Sequence, residues 1–514
     1  MRVDRLHSGV LNQFPFDRSG NTLQRDIGDY FGASILPVHY PSPRLLHYNS
    51  AFGEEIGLGI PESDDDIALL NAQKFPSHIT PYATAYAGHQ FGRWAGQLGD
   101  GRAIFIGQIA DSKSRNWELQ WKGAGATPFS RHADGRAVLR STVREYLISE
   151  AMYHLGVPTT RSLSLSITGE NVIRDILYNG KSAPEPGAMM IRGAESFIRF
   201  GHFEFWSAKG NVLELRKLAD YVIDNFFPQI QNKGTEKYSM FFDLVCKKTA
   251  ELIVEWMRVG FTHGVLNTDN MSTLGLGIDY GPFSFLDEFD LNFTSNTTDL
   301  PGRRYAFGQQ AKVAQWNLWQ LANALYPLVE NPSLLEASLD NFVGYFWETH
   351  DKMIHRKFGL SRQSQLSKQL IMDVQSFMQQ QKIDFTIFFL LLENFEGQVD
   401  SAGYFEPSFY RPLSLEERDQ FSLLLHRYLE LGKNQGESNE NRKLLMKSVN
   451  PQYVLRNYML YGIIKDVENG ILTSFLSAWE RLAAPYDSSN AQFSLRRPPE
   501  FDKIPGCSML SCSS

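Results

Sequence analysis

The stretch HGVLNTDNMSTLGLGIDYGP, residues 263–282, gathers the side chains best suited to chemistry in this 514-residue chain. Asp269, Asn270 and Asp279 offer oxygen ligands for a divalent cation, and Asp279-Tyr280-Gly281 sets the last of them in a turn. A carboxylate here could also take the proton from an attacking hydroxyl. The run Asn267-Thr268-Asp269-Asn270 equally fits a plain Asx-turn.

Spacing narrows the chemistry. Phosphoryl-transfer sites on small molecules read H-G-D-x-x-x-x-N followed by D-x-G, the first Asp acting as base while the Asn and the second Asp hold Mg²⁺. His263, Gly264 and Asn270 keep that spacing and Asp279 follows, but Val265 stands where the base should be. Valine accepts no proton, so ordinary phosphoryl transfer is expected to be impaired. Asp269 supplies a carboxylate within the same loop, and a catalytically dead fold with loop-capping acids is the alternative.

Basic residues upstream could grip phosphates. Lys122 ends the alternating run ELQWK, on a strand edge, and Glu145 lies 23 residues later in a helical pattern. A strand lysine held by a helix glutamate positions phosphates in kinases, although two unrelated surface charges fit the same spacing. In GQLGDGR, Gly99 and Gly101 allow backbone N–H groups to approach an anion and Arg102 can bind one bidentately, but hairpin turns also use such glycines. Arg192 and Arg199, in MIRGAESFIRFGHFEF, are seven apart, which two helical turns bring to one face. Their apolar flanks favour a partly buried anion pocket over solvated surface charges.

The elements that position these groups fall into two sorts. RAIFIGQIA, WELQWKG, RSLSLSITG and GAMMIRG alternate like strands, whereas GRAVLRSTVREYLISEAMYHLGVP repeats Leu139, Val143, Leu147, Ala151 and Leu155 as one helix. After about residue 210 the spacing is helical in DLVCKKTAELIVEWMRVG, AKVAQWNLWQLANALYPL, LLENFEGQV and GILTSFLSAWERLAA. LGKNQGESNENRK reads as a solvated loop. The expected class is α+β, a protein-kinase-like (pseudokinase) two-lobed fold with the nucleotide between the lobes. Its parts are an extension over 1–80, a strand-rich N-lobe over 81–208, a helical C-lobe over 209–490 with the catalytic and metal loops, and a cysteine-bearing tail over 491–514.

Composition excludes other classes. Hydrophobic residues make up 43% and charged residues 21%, as in folded globular chains. A net charge of −7 without a basic stripe argues against nucleic-acid binding. The charged start, MRVDRLHSGVLNQF, and the lack of a long apolar run point to a cytoplasmic protein with no membrane partner, expected to act as a monomer. Cys246, Cys507 and Cys512 form no zinc set. Cys246 is expected as a buried filler, and the two tail thiols as exposed and open to redox chemistry.

The sequence resembles the selenoprotein O family through HQFGRWAGQLGDGRA, ELQWKGAGATPFSRHADGRAVLRSTVREYL, SEAMYHLGVPTTRSLSL, FIRFGHFE, FTHGVLNTDNMSTLGLGIDYGP, NPQYVLRNY and the closing SCSS. The resemblance is dense over roughly 85–290 and thinner elsewhere. It implies a protein adenylyltransferase with a pseudokinase fold that binds ATP reversed, so that the α-phosphate faces the acceptor. AMP then passes to Ser, Thr or Tyr hydroxyls of protein substrates and pyrophosphate leaves, with Mg²⁺ or Mn²⁺; uridylyl transfer with Mn²⁺ is a variant. By the same resemblance, Lys122 with Glu145, and Arg192 with Arg199, hold the terminal phosphates. Gly99, Gly101, Arg102, Asp134 and Gly135 complete the nucleotide site, Asp269 is the base, and Asn270 and Asp279 are the metal ligands. Cys512 stands where some members carry selenocysteine, and a regulatory disulfide of Cys512 with Cys507 or Cys246 is the corresponding expectation. Phosphoryl transfer and a non-catalytic ATP-binding scaffold are the competing readings.

Overall fold

A computed structural model describes residues 1–511 except 437. Its ten-stranded sheet is built from β1 (Phe16–Asp17), β2 (Gly32–Ser34), β3 (Arg44–Tyr48), β4 (Tyr82–Gln90), β5 (Arg93–Gly99), β6 (Ala103–Ala110), β7 (Asn116–Lys122), β8 (Ala137–Val138), β9 (Arg161–Arg174) and β10 (Ala183–Ala194). The main path runs β1-β2-β4-β6-β7-β10-β9-β3, with β5 paired to β4 and β8 to β10. Only β1 and β2 run parallel. The first 80 residues are thus more than a cover packed on the N-lobe, since β1, β2 and β3 extend its sheet.

Helices α1 (Ser50–Glu55), α2 (Asp64–Leu70) and α3 (Leu139–His154) accompany the sheet. Twelve more come after it in the chain: α4 (Phe200–Ala208), α5 (Val212–Phe226), α6 (Glu236–Val259), α7 (Gln310–Leu325), α8 (Ser333–Lys357), α9 (Gln365–Gln381), α10 (Phe385–Asn394), α11 (Ser401–Tyr404), α12 (Leu415–Gln435), α13 (Asn439–Lys447), α14 (Asn457–Glu468) and α15 (Thr473–Leu482). Between α6 and α7 lies a short ribbon, β11 (Phe261–Thr262) with β12 (Ser284–Phe285). Strands early and helices late make the class α+β. No helix among the described residues is long and apolar enough to cross a membrane.

The central strands explain where the site residues point. β7 lies between β6 and β10 and is buried from Trp117 to Lys122, so its alternation sends Glu118, Gln120 and Lys122 to one face and Trp117, Leu119 and Trp121 to the other. The Trp121 face joins one apolar cluster with Ile104, Ile106 and Ile191. Helix α3 contacts β9 and β10, and α14 and α15 reach it as well. The predicted stripe Leu139, Val143, Leu147, Ala151 and Leu155 is buried, and so are Arg144, Glu145 and Glu150. An α3 covered nearly all round holds its charges only because each finds a partner: Glu150 accepts from Arg161 (2.9 Å), and Arg144 donates to the Phe283 carbonyl (2.8 Å).

Three expectations change. Residues 431–443, expected as a loop, are the end of α12 and the start of α13, joined at Gly436 in the left-handed region (φ 74°). Polar helix formers there keep a helix whose apolar contacts come from elsewhere, with Arg442 buried under the carbonyls of Leu392 and Phe395. The helical pattern in LLENFEGQV ends at Asn394. Cys507 is buried rather than exposed, and burial pushes its thiol up to about 11, the reverse of a reactive thiolate. Cys246 is buried as expected, and Cys512 lies outside the described residues. The tail is held by Thr297, whose backbone N–H (2.7 Å) and Oγ1 (2.8 Å) donate to the Leu510 carbonyl.

Candidate active site

A cleft of about 490 Å³ lies where β4–β7, β10 and the start of α4 face the loop of residues 263–282. That volume suits a nucleotide-sized ligand. Its wall carries seven basic side chains, among them Arg102, Lys122, Arg192 and Arg199, against three acids, Asp100, Asp269 and Asp279. In a chain of net charge −7 this is a local anion site.

Three of the cations converge on one carboxylate. Lys122 Nζ lies 2.6 Å from Glu145 Oε2 and 2.9 Å from Asp279 Oδ1. Arg192 pairs with Gln120 across the β10–β7 ladder and is aimed by the Gln120 Oε1 it donates to (3.2 and 3.1 Å). Its Nη1 then reaches Glu145 (3.1 Å) and Asp279 Oδ1 (2.5 Å). Arg199 donates to Asp279 Oδ2 and to the Asp269 carbonyl (2.9 Å). Burial opposes the Asp279 charge, but Arg199, Lys122 and Arg192 hold its carboxyl well below the usual carboxylate range. Burial drags the Lys122 ammonium down, and Asp279 and Glu145 restore it only in part.

The two arginines meet by another route than the one their spacing suggests. Arg192 lies on β10 and Arg199 is the residue before α4, so no helix joins them. A strand followed by a chain reversal into α4 delivers both to Asp279; the seven-residue spacing had the right partners and the wrong geometry. Asp279 itself sits in the left-handed region at φ 56°, uncommon for a side-chain-bearing residue and costly enough to mark function.

Asp269 occupies a 3₁₀ turn over Thr268–Asn270. Its Oδ2 accepts from Gln90 Nε2 (3.0 Å), while Oδ1 is buried without a partner. Burial pushes its pKa up to about 6, against the pull of Gln90 and Arg199. A carboxyl tuned towards neutrality suits a base working near pH 7. Asn270 Nδ2 donates to the Val265 carbonyl (2.8 Å), which leaves Oδ1 as the acceptor atom. Asn270 Oδ1 and the Asp279 carboxylate form an oxygen donor set that fits Mg²⁺ or Mn²⁺ completed by phosphate oxygens. His263 Nε2 lies 2.9 Å from the Ile278 carbonyl and joins the two halves of the loop, away from the chemistry.

The glycine-rich segments are built tightly. A side chain on Gly99 would strike the Phe129 ring at 2.4 Å, and one on Gly135, which needs φ 68°, would meet the Gly125 carbonyl at 2.2 Å. Gly99, Gly101, Arg102 and Gly135 all line the cleft, but Asp134 is absent from its wall. It is instead tied to Arg174 (2.7 and 2.9 Å) on the rim. Glu145 lies behind Lys122 and lines a smaller adjoining hollow. Sequence reasoning missed Gln90, which orients Asp269, and Asp100, which lies 3.7 Å from Arg199 and accepts from Thr84 N–H (3.0 Å). Neither carries a local signal, because Gln90 meets a partner 179 residues away.

Comparison with known proteins agrees with this arrangement. The family model described as "Protein adenylyltransferase SelO" matches residues 20–482. A protein nucleotidyltransferase YdiU of Cytophaga hutchinsonii is 43% identical over 509 residues, covering 98% of this chain and 97% of the relative. Proteins of the same name from Nitrosospira multiformis and Azoarcus sp. are 42% identical, covering 99% and 100% of this chain and 96% and 100% of their own lengths. With cleft, loop and sheet matched along nearly its whole length, the chain belongs to the SelO family.

Proposed function

We propose that this chain is a metal-dependent protein adenylyltransferase on a kinase-like two-lobed fold, moving AMP from ATP to Ser, Thr or Tyr hydroxyls. The observation that carries the reading is the excess of cations deep in the cleft together with an Asp269 that the cations touch only through its backbone carbonyl. A triphosphate entering tail-first gives Lys122, Arg192 and Arg199 their anionic partners and leaves the α-phosphate outermost. Pyrophosphate is then the leaving group those cations stabilise. The names borne by the family model and the relatives favour the same reading.

In the step itself, Asp269 Oδ1 takes the proton of the acceptor hydroxyl as its oxygen bonds to the α-phosphorus. The bond from that phosphorus to the bridging oxygen of the β-phosphate breaks, and pyrophosphate carries the electron pair away. Gln90 holds the Asp269 carboxylate in place from its other oxygen. Asn270 and Asp279 would hold the Mg²⁺ or Mn²⁺ that offsets phosphate charge when bound. Val265, which lines the cleft in place of the usual base, has no task when the γ-phosphate points inward.

ATP labelled separately at the α- and γ-phosphates tests this. Label reaching protein only from the α position is the expected result. Label only from the γ position makes the protein a kinase, and label from neither, with ATP still bound, makes it a scaffold.

A further inference from the structure

A second basic cavity lies outside the nucleotide cleft, in the loop that follows the Asp279 turn. This hollow of about 500 Å³ has Arg303, Arg304, Lys312 and Trp316 in its wall and no acidic side chain. The guanidinium of Arg304 lies 4.5 Å from the centre of the Trp316 ring, and its Nε and Nη2 are closed to solvent with no hydrogen-bond partner. Asp299, whose charge is felt by Arg304, is already taken up by the backbone N–H groups of Arg304 (3.1 Å) and Tyr305 (2.8 Å). Buried donors without acceptors are costly, so the cavity is short of an anion.

The cavity is joined to the catalytic loop through packed side chains. Trp316 stands edge-on to His89, with ring centres 5.4 Å apart. The His89 backbone N–H donates to Thr268 Oγ1 (2.8 Å), and the next residue, Gln90, holds Asp269. On the other side Tyr305 donates to Asn267 Oδ1 and accepts from the Phe91 backbone N–H (2.9 Å). Arg304 also abuts Gly92, in the turn between β4 and β5. A group anchored in this cavity is therefore held beside Asp269 on the side from which an acceptor must come.

We infer that the cavity docks the protein acceptor by taking an Asp or Glu side chain near the target hydroxyl. Carboxylate oxygens supply the acceptors that Arg304 lacks, Lys312 and Arg303 add charge, and Trp316 covers the methylene stem. A polyanion backbone is the poorer occupant, because it needs a basic track and this chain of net charge −7 offers one confined cavity. The inference rests on the protein-acceptor chemistry proposed above, so the test separates the two.

Two fluorescein-labelled peptides serve as probes, one with a serine flanked by glutamates and one with the same serine flanked by glutamines. Anisotropy at low ionic strength, with the full chain, is expected to show the acidic peptide binding about tenfold more tightly. Arg304→Gln and Lys312→Gln should each cut that preference severalfold while the glutamine peptide binds as before. Lys312 is exposed, so its variant decides the matter if Arg304→Gln does not fold. Equal binding of the two peptides by the parent protein overturns the inference, as does a preference that survives in the folded variants. Inorganic polyphosphate binding more tightly than the acidic peptide, with the same variants losing it, overturns the choice of occupant. An acidic preference lost in the variants, with no α-label from ATP reaching the peptide, upholds the docking cavity and rejects adenylyl transfer.

Discussion

Two buried clusters of arginine and aspartate sit in this molecule, and they are built for opposite ends. In one, Arg456 grips Asp384 through two bonds (2.6 and 2.8 Å) and reaches Asp287 (3.3 Å), which Arg497 also holds (2.7 Å). Asp384 further caps α10 through the Ile387 N–H (2.9 Å), and its side chain has no accessible surface. Two cations meet two acids there, tying β12, α10, α14 and the tail together. In the other cluster, Asp279 keeps 21% of its side-chain surface, faces a cleft and takes three cations at a strained φ. The first cluster is closed around its own charges; the second uses one protein carboxylate where a ligand's phosphates could sit.

The sharpest break between them is functional. Asp279→Ala is expected to abolish transfer of α-label while the chain stays folded and binds ATP, since the cations remain for the phosphates. Labelling equal to the parent protein would remove Asp279 from the metal site. Next, Asp269→Ala should lower turnover by ~10²–10⁴, the usual worth of a general base, with nucleotide affinity largely kept. Unchanged turnover would end its role as base.

The closed cluster should answer in stability instead. Asp384→Ala leaves Arg456 buried without its main partner, which costs about 3–5 kcal/mol. Denaturant unfolding measures the loss, and α-label transfer per folded molecule should match the parent protein. A variant of parental stability that has lost activity would erase the distinction between the clusters.

How much of this was legible in the sequence differs in the same way. The Lys122–Glu145 pair could be read because each residue lies in an element whose period is local: a two-residue alternation in β7, a helical stripe in α3. Arg192 and Arg199 were recognised by type, but the turn between β10 and α4 is set by packing, so a helical reading placed them wrongly. Asp134 reads like a ligand in a glycine-rich turn, and only the fold reveals that Arg174 on β9 claims it. Cys507 lies in a polar tail, and nothing in that tail foretells its burial. The whole Asp287–Asp384–Arg456–Arg497 cluster was unseen, because its members are separated by 72 to 210 residues and none sits in a motif.

The smallest expected effect concerns the cost of keeping Asp269 ready. Its folded-state pKa of about 6 stands above the ordinary 3.8, with burial as the main cause. A carboxyl so shifted binds its proton more tightly in the folded state, so folding is favoured where the group is protonated. Stability contributed by that proton is complete below about pH 3.8, falls as pH rises towards 6, and is absent above it. A shift of roughly two units corresponds to ~3 kcal/mol as an upper figure. Asp269→Asn removes the titration, so its stability relative to the parent protein should grow across pH 4 to 6.5, measured with chelator present and no nucleotide. Asp287 also titrates upward through burial, but it is common to both proteins and cancels in the difference. A difference independent of pH would mean that Asp269 is ionised throughout, and the cleft would then hold two ordinary acids instead of one held for the cation and one kept near neutrality for the proton.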